Sequence, residues 1–101
     1  EDARAWYLGA LVWCRMGDNA KALEWADKAL AIDSEESMTL YNVACLYSLL
    51  GRADQAVDCL EKAVKLGYSH WRWMEHDSDL DPTRSHPRYQ KLVLEMKEKY
   101  P

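Results

Sequence analysis

Asp77, Asp79 and Asp81 alternate along the chain as the first ligands of a calcium loop do, and carboxylates at that spacing can converge on a hard cation. The rest of such a loop is missing. Its sixth position needs glycine for the sharp turn and holds Pro82; its twelfth needs a bidentate glutamate and holds Arg88. These aspartates therefore read as capping and turn residues, with Asp81 placed to cap a turn starting at Pro82. Arg84 or Arg88 is then available to pair with one of them. His70, His76 and His86 lack the i, i+4 partner of a helical zinc site, and no cysteine lies near them in sequence. Cys14, Cys45 and Cys59 are odd in number and form no C-x-x-C, so they read as small apolar residues in a reducing compartment. No nucleophile elbow and no glycine-rich phosphate loop is present, which argues against an enzyme and against a bound cofactor. Trp71 and Trp73 stand two positions apart, so on a helix they face different ways and do not make an aromatic cage. The expectation is that one packs beside Met74 and the other stays partly exposed.

The charge balance narrows the partners. Thirteen basic against 17 acidic residues leave a net charge of −4 over 101 residues. An acidic chain without a basic stripe is poorly suited to nucleic acid or to an anionic membrane surface. No apolar run approaches the roughly 18 residues of a membrane span, and the start, Glu1-Asp2-Ala3-Arg4, lacks the pattern of a signal peptide. A single small cytoplasmic domain is expected.

The elements that position these residues come from an internal repeat. Gly17 and Gly51 are 34 residues apart. At that shift Tyr7 falls on Tyr41, Ala10 on Ala44, Ala22 on Ala56, Lys28 on Lys62 and Ala29 on Ala63; Trp13 falls on Tyr47 and Leu30 on Val64. Within each unit two helices are predicted. Trp6, Gly9, Ala10 and Trp13 share one helical face, as do Leu40, Val43, Ala44 and Tyr47. After the glycine, Ala22, Ala26 and Ala29 form a small-residue stripe, repeated by Ala56, Leu60 and Ala63. Asp18 or Asn19 suits the cap of the intervening helix. Glu24, Asp27, Asp58 and Glu61, with Lys28 and Lys62 near them, read as a solvated charged surface with i, i+4 pairs.

This pattern resembles the tetratricopeptide repeat, with its W-x-x-L-G-x-x-Y, A-x-x-x-F and 34-residue period. Ser34 and Tyr68 stand in place of the usual closing proline, and Gly9 and Ala26 in place of larger residues, which thins the expected packing of the first unit. The resemblance implies an all-α fold: an antiparallel helix-pair solenoid with a right-handed superhelix and a C-terminal capping helix. Repeat one would span residues 3–36, repeat two 37–70, and a degenerate repeat with the cap 71–101, all in one domain. The tail Asp79-Leu80-Asp81-Pro82, Arg84, Pro87-Arg88-Tyr89 is similar to the D-L-D-P-x-R-x-x-P-R-[FY] segment that closes many bacterial modules of this family. A short helix over 70–76 and a terminal helix from Pro87 to Lys99 are predicted. The terminal helix would lie on residues 53–66 through Leu92, Val93 and Met96.

The implied function is a noncatalytic protein-interaction module, the C-terminal part of a longer array in a signalling or regulatory protein, cut from it so that the outer face of the first helix is unusually apolar. The alternative is a structural or oligomerisation cap that packs on upstream repeats or on its own copy. In such a solenoid the first helices line the concave side. The helical wheel places Tyr7, Leu11, Cys14 and Arg15 there in the first unit, and Met38, Tyr41, Asn42, Cys45 and Ser48 in the second. A protein or peptide ligand would bind these nine residues. Tyr7 and Tyr41 would lie side by side outside the inter-helix core. Only Asn42 fits the carboxylate clamp of the chaperone-binding members.

Overall fold

A computed structural model describes residues 2–101. Among these residues six α-helices and one 3-10 turn follow one another: α1 Ala3–Arg15, α2 Asn19–Ile32, α3 Ser37–Leu49, α4 Ala53–Lys65, α5 Trp71–His76, the turn Ser78–Thr83, and α6 Pro87–Lys99. No strand occurs among the described residues. The terminal helix has the expected bounds, and the short helix expected over 70–76 begins one residue later, at Trp71.

Local chemistry sets the boundaries. Asp2 and Asp18 accept from the backbone N–H groups of Arg4 and Lys21, capping α1 and α2. Glu36 caps α3 with both carboxylate oxygens, to Met38 N at 2.8 Å and Thr39 N at 2.9 Å. Those bonds draw its pKa below the usual carboxylate range. Gly17 and Gly51 end the first helix of each unit at φ 84° and 75°. In both turns the residue after glycine donates back to a carbonyl of the helix, Asp18 to Trp13 and Arg52 to Tyr47. A side chain at either glycine would be strained by that φ.

Each repeat closes by large-to-small packing. Ala10, Ala22, Ala26 and Ala29 are fully buried, so α1 and α2 approach closely. Gly9 does not thin this pair as expected. The ring of Trp25 lies directly over it, in the space a Cβ would occupy. Trp6 and Trp13 meet the Trp25 ring edge-on, at 4.9 and 6.0 Å between centroids. In the second repeat Leu40, Val43, Ala44, Tyr47, Val57, Leu60 and Ala63 form the dense centre of the core. Tyr47 Oη donates to Asp27 Oδ1 at 2.6 Å and ties the two repeats. Asp27 thus serves the inter-repeat contact as well as the charged surface. Of the expected i, i+4 pairs, Lys28–Glu24 forms at 3.7 Å. Lys62 instead reaches Glu35.

The tail folds back over this core. Leu80 and Thr83 are fully buried, and Tyr89, Leu92, Val93 and Met96 bury one side of α6. Helix α6 packs on α4 and α5. Arg88 reaches Asp58 at 3.0 Å and Glu61 at 2.9 Å, while His86 Nε2 meets Asp54 at 2.7 Å. Arg84 pairs with Asp81 at 2.8 Å. Asp81 lies inside the 3-10 turn and is not its cap. Asp77 is, accepting from Asp79 N at 3.1 Å, because the turn begins four residues before Pro82 and not at it.

Candidate functional site

The first helices of the repeats and the tail enclose a groove of about 350 Å³. Tyr7, Leu8 and Leu11 of α1 and Trp73 of α5 line it. Tyr41, Cys45 and Leu46 of α3 make a buried floor, while Met38, Asn42 and Leu49 reach the rim. Asp77 and Asp79 bring the charge. A second hollow of about 570 Å³ opens beside it, between Tyr68, His70, Arg72 and Tyr100. Met38 and Trp73 belong to both hollows, and Trp73 is 63% exposed. As expected of the tryptophan pair, Trp71 packs against the core near the fully buried Met74, and Trp73 is the exposed one.

Six of the nine residues placed by the helical wheel line this groove: Tyr7, Leu11, Met38, Tyr41, Asn42 and Cys45. Cys14 and Arg15 sit beyond its edge, partly buried and exposed respectively. Ser48 is not on a groove surface. It is fully buried, and its Oγ accepts from Thr83 Oγ1 at 2.6 Å. The 3-10 turn crosses the C-terminal half of α3 and covers it, a path that the repeat register does not specify.

Tyr41 also departs from expectation. It is 3% exposed and belongs to the core. Its ring stacks on Tyr68 at 4.8 Å, and its hydroxyl donates to Asp77 Oδ2 at 2.5 Å. Tyr7, at the equivalent position, stays half-buried. The difference lies in the partners: the position equivalent to Tyr68 in the first repeat is Ser34, which has no ring to offer.

Burial, and then the carboxylate it donates to, push the Tyr41 hydroxyl far above the ordinary phenol range. Burial also raises the Cys45 thiol, with Asp77 and Asp79 adding to the effect. Cys45 is therefore a protonated weak donor to Asp77 Oδ2 at 3.7 Å, not a nucleophile. Asp79 is raised by burial and by the neighbouring Asp77, against the pull of Arg15. Cys45, Asp77 and Asp79 lie close enough together to suggest a metal site. A protonated thiol is a poor ligand, however, and Asp77 is already engaged by Tyr41, Cys45 and Asp79 N. What the groove presents is apolar surface beside two carboxylates.

Leu8, Leu46, Leu49, Trp73, Asp77 and Asp79 were not assigned to the groove from sequence. Leu8 lies on the α1 face between Leu11 and Arg4, so a wider arc on the wheel would have included it. The others depend on the course of the tail or on the width of α3's exposed face.

Comparison with known proteins agrees with this architecture. A family model described as "Tetratricopeptide repeat" matches residues 1–67. An Arabidopsis thaliana protein described as chloroplastic is 30% identical over 93 residues, which is 89% of this chain and 28% of that relative. The chain thus spans little more than a quarter of that relative's length. Among the described residues no helix is long and apolar enough to cross a membrane.

Proposed function

The chain belongs to the tetratricopeptide repeat family, and on that premise we propose that it is a noncatalytic module that holds a protein or peptide segment in the groove between α1, α3 and α5. The observation that supports this is the groove itself, whose lining joins exposed Leu8, Met38 and Trp73 to half-buried Tyr7 and Leu11. Apolar surface gathered in a concavity, with a large aromatic at its edge, is the composition of a binding hot spot.

The module also suits the C-terminal end of a longer array. The same helix position is treated differently in the two repeats. Thr39 and Leu46 are buried at 5% and 3%, whereas their equivalents 34 residues earlier, Ala5 and Val12, are exposed, Val12 at 55%. Helices α1 and α2 both pack on α3, so a preceding helix pair stacked in the same way would cover Val12. At the other end α5, the 3-10 turn and α6 occupy the corresponding place. A signalling or regulatory parent is the setting we propose, from the resemblance of the closing segment. The free thiols Cys14, Cys45 and Cys59 suit a reducing compartment such as the cytoplasm. Self-association through the open end is the competing reading, which the exposed Val12 and Met16 favour.

The test is a peptide-array screen followed by titration of Trp73→Ala and Leu11→Ser variants. Loss of binding with unchanged melting supports the groove. Binding peptides that ignore both substitutions would refute it. Sedimentation across a concentration series separates the competing reading, since a Val12→Glu change would dissolve a dimer formed by the open end.

A further inference from the structure

We infer that the groove selects a cationic segment: a peptide whose lysine or arginine meets Asp79 while an adjacent apolar side chain lies against Trp73, Leu8 and Leu11. This deepens the groove reading above and rests on it. Among the described residues, the charged groups lining the groove are both carboxylates, Asp77 and Asp79, and no lysine, arginine or histidine lines it. The two are not equivalent. Asp77 is turned into the protein: Oδ2 takes the Tyr41 hydroxyl and the Cys45 thiol, and Oδ1 takes the Asp79 backbone N–H.

Asp79 is the open one. Its side chain enters no hydrogen bond and no ion pair among the described residues, although it is partly buried and lies beside a like charge. Burial and Asp77 both work against its ionised form. Arg15 is close enough to act on it at a distance, but forms no ion pair with it. Desolvating such a carboxylate under a neutral or acidic ligand would be unfavourable, whereas a ligand cation compensates it. The apolar wall supplies area, and the carboxylate decides which sign of charge is admitted. The net charge of −4 acts in the same direction during approach.

The experiment uses three synthetic peptides, capped at both ends and alike in a leucine-rich frame, with lysine, glutamine or glutamate at one central position. Binding is followed by the NMR shifts of the Trp73 indole and of the Leu8 and Leu11 methyls. The expected order is lysine, glutamine, glutamate, with about tenfold between the first and last, the scale of one partly desolvated charge contact. Asp79→Asn should shrink that span to about twofold or less while the Trp73 shift remains, and circular dichroism checks that the variant is folded. Arg15→Gln should tighten the lysine peptide or leave it unchanged. Equal binding of the lysine and glutamate peptides at shifted Trp73 would overturn the charge selection and leave the groove reading standing. No shift of Trp73, Leu8 or Leu11 with any of the three would overturn both.

Discussion

Tyr41 and Asp77, 36 residues apart, are joined by a 2.5 Å hydrogen bond from the phenol to the carboxylate. That bond pins the loop between α5 and the 3-10 turn onto the middle of α3. It also fixes the floor of the groove, because Asp77 simultaneously caps the turn that carries Asp79. A residue read from the helical wheel as a free binding anchor is thus a structural tie.

Tyr41→Phe should therefore lower stability by about 1.5–3 kcal/mol, the range for a hydrogen bond to a charged group. Tyr41→Ala should cost more, about 3–5 kcal/mol, because the stack on Tyr68 goes as well. Urea unfolding of both variants measures this. A Tyr41→Phe protein with an unchanged midpoint would show that the bond contributes nothing.

In the first repeat, Gly9→Ala should be destabilising although alanine favours helix. The new methyl would meet the Trp25 ring, which is also in edge-on contact with Trp6 and Trp13. Overpacking of this kind costs about 1–3 kcal/mol. A second change, Trp25→Leu, should relieve the clash, so the double variant should be less destabilised than the sum of the two single ones. Additive effects would indicate that Trp25 moves aside freely.

The repeats were legible because their period is written in residues of one size class at one spacing. Gly17 with Gly51, Ala10 with Ala44 and Ala29 with Ala63 announce turns and close helix contacts directly. Pro87 and the spacing of Leu92, Val93 and Met96 likewise announce α6. The groove was legible only in part. Wheel geometry tells which side of α1 and α3 faces inward, and six of the residues it picks out line the groove: Tyr7, Leu11, Met38 and Asn42, with Tyr41 and Cys45 as its buried floor. It does not tell where a nonrepeating tail crosses that side. Ser48 is covered entirely and Tyr41 is buried as floor because Thr83, Asp77 and Tyr68 arrive from 27 to 36 residues further on, and no period relates them. The Trp25–Gly9 exchange was missed for the opposite reason: each departs from the repeat pattern, and only together do they restore the packing.

The terminal helix should act through its apolar side and not through its ion pairs. Met96 is 1% exposed, and Met96→Ala should cost about 2–5 kcal/mol. Arg88→Ala removes two pairs, to Asp58 and Glu61, yet the partners are substantially solvated, and exposed pairs contribute little to stability, so its melting midpoint should move far less than that of Met96→Ala. Deleting residues 87–101 should then leave a protein that melts much earlier or aggregates, since Leu92, Val93 and Met96 all leave the core. A monomeric truncation with the original melting midpoint would show that α6 is not a cap.

Alkaline pH should unfold the domain through its buried hydroxyls and thiols. Burial holds the Tyr68 hydroxyl up at about 12 and the Cys59 thiol up at about 11. Tyr47 is raised further, by burial and then by the Asp27 carboxylate to which it donates, and Tyr41 is raised in the same way by Asp77. In the unfolded chain a cysteine loses its proton near pH 8.5 and a tyrosine near 10. Above those values the folded state retains protons that the unfolded state releases, so unfolding is favoured as pH rises. The stabilisation is complete below about pH 8 and is lost progressively as pH climbs through the folded values of Cys59 and then Tyr68. Each group contributes a slope of up to about 1.4 kcal/mol per pH unit while it is ionised only in the unfolded chain. Urea midpoints at about pH 8, 9.5 and 10.5 should therefore fall with growing steepness, and Tyr47→Phe should lessen the fall between the last two. A midpoint that stays level across this range would mean that these groups ionise as readily in the folded protein as in the unfolded chain, and that the Tyr47–Asp27 and Tyr41–Asp77 bonds do not hold their protons.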